Sequence, residues 1–159
     1  MRAGCLLAFV ALAGCGTANA DPWQALEGAW TGAGTVRGMP AAIELRFRPA
    51  LAGRGRHLRF RNVMRSEAGE HVFGAEALYL CDAGGGCRGH WYDSRGVVLP
   101  LSVALHADRV VVDWGDDASE RGRTTYRPLG DDALEIIDEV RGADGTFKRF
   151  GETRARKRD

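Results

Sequence analysis

Short runs of alternating apolar and polar residues recur along most of the chain, and they constrain the fold more than any other feature. Ile43, Leu45 and Phe47 alternate with charged residues, and Leu58 and Phe60 do the same further on. A period of two with one polar face is typical of β-strands that bury one side and expose the other. The chain is therefore predicted to be built almost entirely from half-buried strands.

Turn signals rich in glycine and aspartate separate these runs. In the stretch from Tyr79 to Leu101, a strand enters a turn at Gly84-Gly85-Gly86, a second strand enters a turn at Asp93-Ser94-Arg95-Gly96, and a third strand leaves it. About ten strands are predicted in this way. They cover residues 29–37, 41–48, 56–64, 71–80, 88–92, 97–105, 109–114, 121–128, 133–140 and 146–156. The predicted class is all-β, as an antiparallel up-and-down barrel without open edges, with a two-sheet sandwich as the alternative.

One short helix is predicted before the first strand. Asp21 can cap it, Pro22 suits its first turn, and Gly28 suits its end. No amphipathic helix pattern follows, and no second composition regime or linker interrupts the strands. Residues 21–159 are therefore predicted to form a single β-barrel domain.

Residues 1–20 are typical of an export signal. Arg2 precedes the apolar run at 6–12, which is too short to span a bilayer. Two cleavage sites compete: one before Asp21, after Ala18-Asn19-Ala20, and one before Cys15, where Leu12-Ala13-Gly14-Cys15 resembles a bacterial lipobox. The second site would make Cys15 a lipid anchor. Either site predicts an exported, periplasmic protein, and the second predicts one tethered to a membrane.

The charge balance bears on the partners. Without residues 1–20, the chain carries 21 basic and 21 acidic residues, interspersed along its length. This pattern argues against nucleic acid as a partner and against a basic membrane-binding patch. Membrane contact is expected only through the lipid anchor, and the sequence leaves the oligomeric state open.

Two cysteines remain after the signal. Cys81 and Cys87 flank the glycine-rich turn, and an oxidising compartment favours a hairpin disulfide between them. Their spacing fits neither a CxxC redox pair nor a four-ligand zinc set. His57, His71 and His106 stand apart from other ligand-type residues, so no metal site is predicted.

A catalytic alternative arises at one hairpin, where His90, Asp93 and Ser94 crowd together. A nucleophile, a base and an orienting acid must meet in space. His90 and Asp93 are predicted to point to opposite faces of one strand, and Asp93 and Ser94 are also typical turn residues. We therefore expect a protein that is not an enzyme, with a hydrolase or isomerase at this hairpin as the least favoured alternative.

The first predicted strand opens with Gly28-Ala29-Trp30, followed by Gly32 and Gly34. This motif resembles the Gly-x-Trp signature of the calycins, the group of lipocalins and fatty-acid-binding proteins, and in its extended form it resembles nitrobindin-like barrels. Gly89-His90-Trp91-Tyr92-Asp93-Ser94-x-Gly96 also resembles secreted bacterial lipocalin-like proteins.

The resemblance implies a role for two residues at the start and end of the barrel. Trp30 closes one end, and a basic residue of the last strand, for which Arg154 is the candidate, stacks over its ring. The resemblance also has a limit, because nitrobindin-like haem sites use a histidine late in the chain and the last histidine here is His106. No haem or other cofactor is therefore predicted.

A barrel of this size can hold one small ligand inside or be filled by its own side chains, and the sequence leaves this choice open. The candidates for a cavity lining are the aromatic residues of alternating positions: Trp30, Phe47, Phe60, Tyr79, Trp91 and Trp114. Polar groups would come from Asn62, Glu76, His90 or Tyr92, depending on which face points inward. The leading hypothesis is a cell-envelope protein that binds a small apolar or amphipathic ligand, and the second is a filled barrel that contacts another envelope protein.

Overall fold

The structure, a computed structural model, describes residues 22–82 and 86–158. They form a closed antiparallel barrel in which each strand pairs with its sequence neighbours and the first strand pairs with the last. The elements are α1 Pro22–Leu26, β1 Gly28–Val36, β2 Met39–Ala50, β3 Gly55–Ser66, β4 Gly69–Cys81, β5 Cys87–Asp93, β6 Val98–His106, β7 Arg109–Trp114, β8 Gly122–Pro128, β9 Ala133–Arg141 and β10 Phe147–Arg158. The predicted all-β, up-and-down barrel of about ten strands with a short N-terminal helix is confirmed, and the sandwich alternative is wrong.

Glycines allow β1 and β10 to pair closely and so to close the barrel. β1 and β10 pair in antiparallel register, with Gly32 opposite Ala155 and Gly34 opposite Thr153. A Cβ atom at Gly32 would lie 2.0 Å from the Arg154 carbonyl oxygen, and one at Gly34 would lie 2.1 Å from the Glu152 carbonyl oxygen. Only glycine fits these positions without moving a backbone, so the Gly-x-Gly motif after Trp30 serves the closure of the barrel.

One end of the barrel is filled, and α1 lies across it. Trp23 of the helix packs between Phe47 and Tyr79, with ring centroids 6.3 and 5.1 Å away. The Trp30 indole N–H donates a 2.7 Å hydrogen bond to the Leu26 carbonyl, which ties β1 to the helix. We call this the closed half. Its fully buried large side chains are Trp23, Leu26, Trp30, Phe47, Leu58, Tyr79, Val110 and Leu134.

The predicted hairpin disulfide is confirmed. Cys81 and Cys87 are bonded to each other across the connection between β4 and β5. Cys87 also belongs to the core cluster of the closed half, so the bridge fixes a hairpin that contributes to the filled core.

Several sequence predictions lie outside the described residues. The export signal at 1–20, the candidate lipid anchor Cys15 and the helix cap Asp21 all belong to this group. Within residues 22–82 and 86–158, no helix is long and apolar enough to cross a membrane.

Candidate ligand-binding cavity

The half of the barrel away from α1 is hollow, and we call it the open half. It holds a cavity of about 520 Å³ that opens among the turns joining β1 to β2, β5 to β6 and β7 to β8, where Arg37, Arg95 and Glu120 line it. This volume lies within the range of about 300–1,000 Å³ that is usual for small-molecule sites. The aromatic side chains of its wall are Phe60, Phe73, Trp91, Trp114, Tyr126 and Phe150.

Three of these rings form a continuous aromatic wall on β3, β4 and β5. The centroids of Phe60 and Phe73 lie 6.1 Å apart, and those of Phe60 and Trp91 lie 6.0 Å apart. Phe73 and Trp91 lie nearly parallel, 6.3 Å apart and 22° between planes. Each ring is only partly buried, because its inner face borders empty space rather than another side chain. The wall therefore offers preformed apolar area to a guest.

An acid faces the cavity from β9. Asp138 accepts a 2.7 Å hydrogen bond from the Thr124 hydroxyl on β8, and both residues line the cavity. Desolvation inside the barrel raises the pKa of the Asp138 carboxyl from 3.8 to about 6, because the single hydrogen bond from Thr124 only partly offsets the loss of water. Its side chain forms no ion pair with any described residue. At neutral pH the cavity therefore contains a negative charge without a partner cation.

A second polar group faces the cavity from β3. Asn62 is only 4% exposed, and its Oδ1 atom has no hydrogen-bond partner among the described residues. A buried carbonyl oxygen without a donor costs about 1–3 kcal/mol of folding free energy.

The mouth of the cavity is braced by an ionic bridge. The Arg95 guanidinium contacts Asp93 at 2.8 Å, reaches Glu120 in the connection between β7 and β8, and lies 5.6 Å from the Phe73 ring centroid. Burial alone would raise the pKa of Asp93, but hydrogen bonds from Arg95 and from the Trp91 indole outweigh it and hold the pKa below its usual value. The positive φ of Gly96, 78°, completes this turn, as its position in the sequence indicates.

A bulge shapes the opposite side of the mouth. The register of β10 shifts between Arg149 and Gly151, and Phe150 at this irregularity lines the cavity. The Arg37 guanidinium lies 5.8 Å from the Phe150 ring centroid, and the Arg37 amide donates a 2.6 Å hydrogen bond to the Phe150 carbonyl. The bulge thus turns an aromatic side chain towards the opening.

The structure divides the six aromatic cavity candidates into two groups. Phe60, Trp91 and Trp114 line the cavity. Trp30, Phe47 and Tyr79 do not: each is at most 1% exposed and packed in the closed half. For these three the cavity role is corrected, because α1 occupies the space that they would otherwise border.

The polar candidates divide in the same way. Asn62 points inward. Glu76, His90 and Tyr92 are exposed and lie on the outer face, because each alternates with an inward neighbour such as Ala75 or Trp91. A polar role inside the cavity is therefore corrected for Glu76, His90 and Tyr92. Ala77, which also points inward, lies in the filled core cluster.

Barrel closure uses a different cation from the one expected. Trp30 lies at the closed end, but it pairs with Lys157, whose ammonium lies 5.3 Å from its ring centroid. Arg154 pairs with Ala33, points outward, and contacts Glu135 at 3.4 Å. The expectation that Arg154 stacks over the Trp30 ring is therefore wrong. Lys157 takes that position, because residues directly opposite in an antiparallel pair share a face. Gly28, with a φ of 119°, follows the end of α1 by two residues and begins β1.

Sequence reasoning missed Asp138 and Thr124. The signal was present, because Asp138 follows Leu134 and Ile136 at a spacing of two on β9. An acid on the apolar face of an alternating strand predicts a polar group inside the barrel. The neighbouring Ile137 obscured it, because two adjacent isoleucines hide which face is buried.

The residues of the alternative catalytic site lie apart, because the strand places His90 and Asp93 on opposite faces. His90 lies on the outer face with its ring centroid 6.4 Å from that of Tyr92, whereas Asp93 is held by Arg95 and Trp91. Ser94 accepts a 3.3 Å hydrogen bond from the Gly74 amide. Among the described residues, no group of three or more His, Cys, Asp or Glu side chains is arranged to hold a metal ion.

Comparison with known protein families and curated proteins found no match. The sequence matches no protein-family model, and no curated protein matches it. The geometry of the barrel is therefore the basis for its proposed function.

Proposed function

We propose that the protein binds a small apolar or amphipathic ligand in the open half of the barrel, in the manner of a lipocalin. The observation that carries this proposal is the hollow, aromatic-lined half, with a volume of about 520 Å³. Natural interiors are close-packed, and a void of this size forgoes many contacts unless something fills it. The closed ten-stranded barrel is compatible with the calycin fold that the opening Gly-x-Trp motif resembles.

The two halves support a carrier better than a filled barrel that serves only as an interaction module. The closed half supplies a compact core around Trp23 and Trp30. That core gives the fold stability that does not depend on a guest, so the open half is free to exchange one.

The proposal includes export. The signal-like residues 1–20 and the motif ending at Cys15 support a periplasmic protein that is lipidated at Cys15. Mass spectrometry of the mature N-terminus tests this point: an acylated Cys15 supports anchoring, and an N-terminus at Asp21 would replace it with a soluble exported form.

Tryptophan fluorescence gives a direct test of where binding occurs. The four tryptophans divide evenly. Trp91 and Trp114 line the cavity, and Trp23 and Trp30 lie in the closed half. An environment-sensitive apolar dye should bind with one-to-one stoichiometry and quench the emission. The double variant Trp91→Phe and Trp114→Phe should lose most of this quenching.

A matched pair of substitutions provides the control. Val140→Phe places a ring in the cavity wall and should abolish dye binding. Val98→Phe makes the same change at a position that is 53% exposed on the outer face and should leave binding intact. Absence of dye binding by the native protein, or equal binding by both variants, would reject the proposed function.

A further inference from the structure

The lining of the cavity includes a hydrogen-bond acceptor that the protein satisfies only in part. The Asp138 carboxylate receives one side-chain hydrogen bond, from Thr124 to its Oδ1 atom. A carboxylate can accept about four hydrogen bonds, so Asp138 retains most of its accepting capacity towards the cavity.

The charge of Asp138 is also unbalanced inside the barrel. Burying an ionised carboxylate is unfavourable unless it is paired and hydrogen-bonded. Asp138 pairs with Thr124 on β8 and with Gly151 on β10, and it forms no ion pair with a described residue. The basic side chains of the lining, Arg37, His71 and Arg95, belong to other strands and turns. The group that best completes this site is a cation that also donates hydrogen bonds.

The two arginines of the lining lie at the mouth of the cavity. Arg95 is held by Asp93 and Glu120, so its charge is balanced by two carboxylates. Arg37 lies near Phe150 at the rim. A fatty-acid anion that entered head first past this rim would meet the negative charge of Asp138, and this disfavours carboxylates as guests.

The aromatic wall suits a cation as well as an apolar chain. Phe60, Phe73 and Trp91 line the same cavity as Asp138. An aromatic ring attracts an ammonium group within about 6 Å of its face. The carboxylate and the aromatic rings thus favour the same chemistry.

We infer that the ligand is an apolar amine, whose protonated nitrogen donates to Asp138 and whose hydrocarbon part lies against the aromatic wall, rather than a fatty acid. This inference rests on the proposed function, since it specifies the guest of the same cavity.

Three probes with the same ten-carbon chain separate the inference from the proposal. Decylamine, decanol and decanoate are each titrated at neutral pH against the dye-loaded native protein. We expect decylamine to displace the dye at the lowest concentration and decanoate at the highest, with about a tenfold separation for the loss of a charge-assisted hydrogen bond.

A pair of variants on β9 locates the effect. Asp138→Asn keeps the size of the side chain and removes its charge, and should weaken decylamine about tenfold while leaving decanol within about twofold. Glu139→Gln removes the same charge from the neighbouring residue, which points to the other face of the strand, and should change neither. Retained dye binding shows that each variant is folded.

The outcomes distinguish two failures. If dye binds and decanoate displaces it as well as decylamine does, or if Asp138→Asn does not weaken decylamine, the amine inference is wrong and the binding function stands. Failure of all three probes to displace a bound dye also overturns the inference. Absence of any dye binding overturns the proposed function itself.

Discussion

The closed and open halves of the barrel are built from the same strands but differ in what fills them. In the closed half, Trp30, Phe47 and Tyr79 are at most 1% exposed and are covered by α1. In the open half, Phe73, Trp91 and their neighbours surround empty space. Several inward positions on β1 and β10 there are small, with Gly34, Gly151 and Thr153, and no helix of residues 22–82 and 86–158 covers that end. One end cap and a few glycines therefore decide whether a barrel interior becomes a core or a cavity.

The largest expected effect contrasts a phenylalanine from each half. Phe47→Ala should lower the free energy of unfolding by about 3–5 kcal/mol, because it removes a buried ring from a filled core. Phe73→Ala should cost less than about 2 kcal/mol, because its ring already borders a void, yet it should weaken dye binding. Chemical denaturation measures both, and equal losses would contradict the division into halves.

Adding volume should also destabilise the closed half more than the open half. Ala77 lies in the filled cluster, so Ala77→Phe should overpack it and cost about 1–3 kcal/mol. Val140→Phe should be close to neutral, because the added ring can enter the cavity. Thermal unfolding of the two variants measures this difference in stability. A strongly destabilised Val140→Phe protein would show that the open half has no room for a ring.

Asp138 allows a pH test of the open half. Its folded pKa, about 6, is higher than the value of 3.8 expected when unfolded, so above pH 6 the folded state holds an ionised carboxylate at a cost. That cost should diminish as pH falls from 6 towards 4, where the folded protein takes up the proton first. Asp138→Asn should therefore stabilise the free protein by about 1–2 kcal/mol at pH 7.

The same substitution should matter little at pH 4, where the native carboxyl is largely protonated in the folded state. Urea unfolding of native and Asp138→Asn proteins at both pH values measures the difference. A gain that is equal at the two pH values would mean that burial of charge is not its source.

The smallest expected effect concerns the closed end. Lys157→Met removes the ammonium over Trp30 and should cost about 0.5–1 kcal/mol. Arg154→Met is the control, because Arg154 is exposed and faces outward, and it should change stability by less than about 0.5 kcal/mol. A larger loss for Arg154→Met would restore the role first expected of that residue.

The strands were predictable because alternation and turn chemistry are local. The runs around Ile43 to Phe47 and Leu58 to Phe60 fall within β2 and β3, and the predicted hairpin cysteines are bonded. The partner of Trp30 was not predictable with the same certainty, because it depends on the register between the first and last strands. Lys157 lies three residues beyond Arg154 on β10, and an odd number of residues separates the two faces of a strand.

The hollow interior depends on information that no single strand contains. Phe47 and Phe60 both alternate inward on neighbouring strands, but the first lies under α1 and the second beside empty space. Their depth along the barrel axis follows from the stagger of all the strands, which the sequence does not state locally. Asp138 was the exception, since one acid on an apolar face already indicated a polar interior.

An even number of strands has a consequence for orientation. β1 begins and β10 ends at the same pole, since Ala29 pairs with Arg158, and this is the pole that α1 covers. The mouth lies at the opposite pole. A tether, a fusion tag or an immobilising surface attached at either terminus would therefore leave ligand entry unobstructed and present the mouth outward.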